Sequence, residues 1–373
     1  MRTFHCDHCQ HQLFFENFAC VSCGARLAYL PDLKTIGSLD EAGDGTWTSP
    51  LPEATGKAYR LCANYAEHDV CNWALLTDDE NPLCRSCRLT QVIPDLSRPG
   101  HREAWYKIEV AKRRLVYTLL ELGLPVKSKP EDPEKGVAFE FLADPDDPSA
   151  PKPLTGHANG LITINIAEAD DAERERRRLA MHEPYRTLLG HFRHEIGHYY
   201  WDLLIDGSPR LDDFRVMFGD ERADYAQALE RHYQQGPPAD WPQRFVSEYA
   251  SAHPWEDWAE TWAHYVHMVD TLETATSCGL ALRPRRADEP TLETDPQRGL
   301  PATFERLIED WFPLTYVLNN LNRGLGLPDG YPFVLSEQQI AKLRFVHETI
   351  AGVAVAALPQ PPPELETAAA AAS

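Results

Sequence analysis

Eight of the nine cysteines lie before residue 90, and their spacing constrains this chain more than any other feature. Cys6 and Cys9 form one Cys-x-x-Cys pair, and Cys20 and Cys23 form a second ten residues later. Each pair can aim two thiolates at one ion, so the four together predict a closed tetrahedral site. Gly24 follows the second pair and suits the tight turn of such a knuckle. The remaining four, Cys62, Cys71, Cys84 and Cys87, contain one further Cys-x-x-Cys and predict a second four-thiolate site, with His68 as a candidate replacement ligand. Such a cluster in a chain without an apolar leader reads as metal binding in a reducing compartment rather than as disulfides. Iron would suit four thiolates as well as zinc does. Cys278 stands alone and reads as a free thiol.

Charge narrows the partners. The chain of 373 residues carries 36 Lys+Arg against 57 Asp+Glu, a formal charge of −21. Residues 1–100 hold 8 Lys+Arg and 13 Asp+Glu, and zinc bound by four thiolates adds about −2 per site. A ribbon that grips nucleic acid is usually basic. The cysteine region is therefore expected to be structural or to contact protein, with no nucleic-acid partner. No apolar run approaches the ~20 residues that span a bilayer, so no membrane association and a cytoplasmic location are expected.

Pro99-Gly100 separates this region, residues 1–100, from a longer one, 101–357, with a Pro- then Ala-rich tail, 358–373, read as disordered. Apolar spacing predicts helices over 103–122, 184–205, 220–233, 240–250, 255–276, 303–322 and 336–357. Short β-branched or aromatic runs predict strands over 137–142 and 160–166. The fold class expected is α+β: a mostly helical domain with a small sheet, preceded by small ribbon modules.

The chemistry is concentrated in the helix expected over 184–205, which carries His194-Glu195-Ile-Gly-His198. Histidines four apart share one helical face and can hold one ion, and a glutamate beside the first can take a proton from a water at that ion. A third ligand must come from elsewhere. Glu256 and Glu260 lie one turn apart on the helix expected over 255–276, with His264 a turn further. Two carboxylates among tryptophans are costly to bury unless they bind something. One can ligate the metal while the other orients a ligand histidine. Glu221 is a third candidate; as a plain structural residue it would oppose a helix dipole, with Asp220 as the cap. His191, His264 and His267 read mainly as core or supporting histidines, and His157 as a loop residue before the second strand.

The pairing of His-Glu-x-x-His with a distant Glu-x-x-x-Glu resembles the gluzincin class of zinc metallopeptidases. Tyr249, seven residues before Glu256, together with Glu256-Asp-Trp-Ala-Glu260, is similar to the core of the anthrax lethal factor-type peptidases, with Trp258 where that family has Phe. That likeness implies a zincin-like domain with Glu256 as third ligand, Glu260 behind a ligand histidine and Tyr249 as hydroxyl donor to the oxyanion. With the cysteine sets, the stretches 191–201 and 253–265 also resemble a bacterial family of zinc-binding metallopeptidases with an N-terminal zinc ribbon, over nearly all of residues 1–357. The implied activity is hydrolysis of peptide or related amide bonds by a zinc-bound water that Glu195 activates. One catalytic and two structural zinc ions are implied, with a peptide or protein as substrate and strand 161–166 aligning its backbone. Two rivals are a non-catalytic zinc-ribbon scaffold that binds a partner protein and a nucleic-acid regulator. The intact Glu195 argues against the first, and the acidic ribbon region against the second.

Overall fold

The structure is a computed structural model that describes residues 1–147, 149–180, 186–297 and 303–356. It is a mixed α/β fold with a ribbon-like N-terminal region. Five antiparallel strands form a meander there: β1 (Arg26–Leu30), β2 (Thr35–Gly43), β3 (Thr46–Thr48), β4 (Tyr59–Leu61) and β5 (Ala74–Leu76). The cysteine knuckles flank these strands. Gly24 adopts φ +77°, and its N–H bonds the Cys20 carbonyl at 2.8 Å, the tight turn expected of that residue.

A second, four-stranded sheet joins β6 (Thr90–Val92), β7 (Ala138–Leu142), β9 (Leu161–Asn165) and β8 (Gly156–Ala158), in that order across the sheet. Strands β6, β7 and β9 are parallel and β8 is antiparallel to β9. Phe139, Phe141, Ile162 and Ile164 are fully buried, as the hydrophobic interior of a parallel pair requires. Strand β9 has neighbours on both sides, so it cannot accept a substrate strand; the outer strand beside it is β8. The expected alignment by residues 161–166 is corrected on that ground.

Packing continues across residue 100. Strand β6 belongs to the second sheet, and α1 (His101–Glu121) places Tyr117 against Phe15 and Tyr29, with ring centroids 5.4 and 5.9 Å apart. Trp73 completes this cluster at 4.5 Å from Tyr29.

Helices follow: α2 (Asp171–Ala180), α3 (Leu188–Leu204), α4 (Leu211–Phe218), α5 (Tyr225–Gln235), α6 (Pro254–Ser277), α7 (Phe304–Gly324) and α8 (Glu337–Ala356). Pro184, expected to open α3, and the tail 358–373 lie outside the described residues. Helix α3 begins at Leu188, where the Thr187 hydroxyl accepts the Gly190 N–H at 2.9 Å. Helix α5 begins five residues later than expected, capped by Asp224 rather than Asp220. The helix expected over 240–250 is replaced by two single turns, Trp241–Arg244 and Tyr249–Ser251. Helix α4 has no counterpart in the sequence reading. No helix among the described residues is long and apolar enough to cross a membrane.

Candidate metal centres and active site

Helices α3 and α6 cross at very short range, and Gly197 permits it. A Cβ on Gly197 would sit 3.1 Å from the Ala259 Cα and 3.2 Å from the Trp262 Cβ. The Trp258 indole N–H donates to the Gly197 carbonyl at 2.8 Å, and Tyr200 stacks on Trp262 at 4.9 Å. The glycine between Glu195 and His198 is thus what lets Glu256 reach both histidines.

His194 Nε2 lies 3.2 Å from His198 Nε2, and Glu256 Oε2 lies 3.0 and 3.5 Å from them. A tetrahedron with metal bonds of about 2.0–2.1 Å has edges of roughly 3.3 Å, so these three atoms have the spacing of ligands around one ion. Glu256 is 1% exposed, and its Oε2 is buried without a hydrogen bond of acceptable geometry. An orphaned carboxylate oxygen facing two imidazole nitrogens fits a cation such as zinc.

Glu260 lies behind the site. Its Oε1 is 2.6 Å from His194 Nδ1, and its Oε2 accepts the Ser247 hydroxyl at 2.6 Å. With Nδ1 donating to the carboxylate, Nε2 of His194 is left free to ligate. Among the described residues His198 has no such carboxylate: its Nδ1 is buried without a hydrogen bond, and the ring is held by packing. Trp255 lies against it at 4.3 Å, and His157 lies parallel at 6.1 Å. His157 is therefore not a loop residue. It sits on β8 with a fully buried side chain, and Nε2 accepts the Gly160 N–H at 3.0 Å. Burial, with His198 adding to it, pulls its pKa down to about 3, so the ring is neutral.

Glu195 is 9% exposed, and burial raises its pKa while His194 and His198 oppose the rise. That upward direction suits a group that must take and return a proton near neutral pH. Burial disfavours charge on His194, but Glu256 and Glu260 outweigh it and raise its pKa well above the usual value. A metal at this site would compete with a proton for His194 Nε2.

Tyr249 stands beside the centre, its ring 5.9 Å from His194. Glu221 does not reach the centre; it is bound by Arg215 at 2.6 Å. Asp220 pairs with Arg222. His264 is a core residue whose Nδ1 meets the Tyr331 hydroxyl at 2.8 Å, and His267 packs on Trp311 and Tyr331. His191 faces Glu168 at 3.4 Å.

Two groups were not signalled by the sequence. The Tyr225 hydroxyl donates to Glu256 Oε1 at 2.6 Å. Helix α8 grips the loop that leads to Ser247 and Tyr249. Ser336 donates to the Gln243 carbonyl at 2.7 Å, Gln339 to those of Pro242 and Phe245, and Lys342 to that of Arg244 at 2.7 Å. Lys342 also pairs with Asp257 at 2.6 Å, both buried. Burial pushes Asp257 up to about 7 while Lys342 draws it back. Neither Tyr225 nor Lys342 has a local sequence signal, since their partners lie far along the chain.

Both cysteine sets converge. Cys6–Cys23 and Cys9–Cys20 sulfurs are 3.6 Å apart, and Cys71–Cys84 sulfurs 3.7 Å apart. Zinc–sulfur bonds of about 2.3 Å give tetrahedral edges of roughly 3.8 Å. His68 is not in the second set; its ring packs on Trp105 at 5.5 Å. Cys9 and Cys23 are exposed, whereas all four cysteines of the second set are buried. Cys278 is a free, exposed thiol.

The model of a family described as "putative zinc-binding metallo-peptidase" matches residues 101–349. The chain belongs to this family. A zinc-ribbon domain model matches residues 3–98. Uncharacterized proteins of Mycobacterium bovis and Mycobacterium tuberculosis are 44% identical over 355 residues, 95% of this chain and 96% of each relative. No solved structure gives a significant match.

The difference in cysteine exposure sets an expected order of metal release. Under graded chelation, followed by a colorimetric zinc indicator, the His194–His198–Glu256 site should empty first. The Cys6–Cys9–Cys20–Cys23 site should follow and the buried set should empty last. Joint release from both cysteine sites would contradict the structure.

Proposed function

We propose that this family member is a zinc-dependent peptidase of gluzincin type, with a peptide or protein as substrate. The observation that carries the reading is Glu256 Oε2, buried and orphaned, facing both Nε2 atoms of a His-Glu-x-x-His helix that also supplies Glu195. Zinc held by His194, His198 and Glu256 would supply Lewis-acid polarisation of the scissile carbonyl and lower the pKa of a water. Glu195 takes the proton of the attacking water and delivers it to the departing amine. Glu260, steadied by Ser247, keeps His194 in the ligating tautomer. Tyr249 offers a hydroxyl to the developing oxyanion. The outer strand β8 presents an edge on which an extended substrate could add as a further strand.

The two cysteine sets would hold one structural zinc each, for three ions per chain with the catalytic one. Their thiolates suit a reducing cytoplasm. The acidic ribbon would contact protein rather than nucleic acid.

The test compares wild type with Glu195→Gln on a peptide library. The substitution keeps shape and removes the base, so cleavage should fall by about 10²–10⁴-fold with zinc content unchanged. Equal cleavage by both proteins would remove Glu195 as the base. No cleavage by either would favour a non-catalytic, partner-binding scaffold.

A further inference from the structure

The two oxygens of Glu256 are in different surroundings. Oε2 faces the imidazoles, while Oε1 accepts a hydrogen bond from the Tyr225 hydroxyl at 2.6 Å. A carboxylate left to itself can close on a cation with both oxygens, which fills a position that a hydrolytic site must keep open. The hydrogen bond to Oε1 opposes that by occupying the second oxygen and fixing the carboxylate's rotation.

Tyr225 does not belong to the helix pair that carries the ligands. It is the first residue of α5, which buries only Ala228 and is flanked by turns at Gly219 and Gly236, with φ of +110° and +75°. Three contacts seat its ring and its helix. The ring meets His253 edge-on at 5.2 Å and Trp255 at 6.1 Å, and His253 Nε2 bonds the Ala223 carbonyl at 3.1 Å. His253 also caps α6: its Nδ1 accepts the Trp255 N–H at 3.1 Å, one residue before Glu256. One imidazole thus ties the start of α6 to the segment that delivers Tyr225. The chain has an anchored hydroxyl, 38% exposed at the residue level, aimed at the non-ligating oxygen of its third ligand.

We propose that Tyr225 is a positioning residue of the metal centre, its hydroxyl holding Glu256 as a one-oxygen ligand. The proposal rests on the reading of Glu256 as a ligand. Its test is Tyr225→Phe, which removes one oxygen atom at a partly exposed position and leaves the ring packing intact. In the full chain, with both cysteine sets zinc-loaded, the His194–His198–Glu256 site is emptied and refilled with Co²⁺ or with Zn²⁺.

Tyr225→Phe should weaken Zn²⁺ binding about 10–100-fold in chelator competition, the usual effect of removing a partner of a ligand. The Co²⁺ visible bands should lose intensity as the coordination number rises, with the thermal midpoint of the metal-free protein unchanged. Unchanged affinity and an unchanged Co²⁺ spectrum would overturn the proposal. Glu256→Gln run alongside separates the two ideas. If that variant keeps wild-type metal affinity, the ligand reading fails; if it loses the metal while Tyr225→Phe behaves as wild type, only the role of Tyr225 fails.

Discussion

Replacing Cys71 or Cys84 with serine is expected to unfold the whole chain, not only its first 100 residues. All four sulfurs of that set are buried, and Arg113 of α1 is buried beside them, 1% exposed. Burial alone would lower its pKa, but the thiolates of Cys71, Cys87 and Cys84, together with Glu109, outweigh it and keep it charged. The guanidinium also donates to the Val70 carbonyl in the loop before Cys71. A zinc with four thiolates carries about −2, and Arg113 offsets part of it. Losing the ion and its thiolates would leave Arg113 with Glu109 as its remaining buried counter-charge, a loss of part of its compensation. The metal's own contribution to folding, about 10–16 kcal/mol for structural zinc, would be lost as well. A domain's whole stability is about 5–15 kcal/mol. The cluster of Phe15, Tyr29, Trp73 and Tyr117 transmits the loss to α1 and onward, since Tyr117 donates to Glu273 of α6 at 3.0 Å. Denaturant titration followed by tryptophan fluorescence and near-ultraviolet circular dichroism checks this. A variant that loses zinc yet keeps the native near-ultraviolet spectrum of residues 101–356 would refute it.

The second large effect separates two glutamates one helical turn apart. Glu256→Gln should lower zinc from about three ions per chain to about two, because an amide oxygen is a far poorer zinc ligand than a carboxylate. Glu260→Gln should keep three ions but bind the catalytic one about 10–100-fold more weakly, since it removes the acceptor for His194 Nδ1 and not a ligand. Ser247→Ala should reproduce the second effect in weaker form, because it removes one of Glu260's two partners. Metal analysis after dialysis against a weak chelator distinguishes the three. Occupancy lost in Glu260→Gln and retained in Glu256→Gln would reverse the assignment.

The parts of this architecture that were legible in the sequence are those written at short range. His194 and His198 are four apart on one helix, Glu256 and Glu260 likewise, and Cys6/Cys9, Cys20/Cys23 and Cys84/Cys87 are three apart, so local geometry alone brings each of these pairs to one side. What joins the pairs could be read only partly. Gly197 marks the close helix crossing, but a glycine inside a helix has several possible causes. Tyr225 was invisible because its partner Glu256 is fixed by tertiary packing. The five-stranded meander was missed because four of its five strands have five residues or fewer and turn residues separate them. The helix expected over 240–250 shows propensity overruled by packing. Side chains of Ser336, Gln339 and Lys342 take the carbonyls of residues 242–245, which a regular helix would have used itself. The strand expected to receive substrate was wrong in role though right in place, because its period of buried residues cannot tell an inner strand from an outer one.

The grip of α8 on that loop also bears on the order in which the molecule is made. Both histidines and both glutamates are in the chain long before the side chains that hold the loop under Ser247 and Tyr249. A growing polypeptide that has passed residue 260 already contains every residue proposed to meet the catalytic ion. The loop lacks its clamp until Lys342 has been added. A product truncated between residues 277 and 336 would carry the whole proposed ligand set without the side chains that clamp the loop under Ser247 and Tyr249.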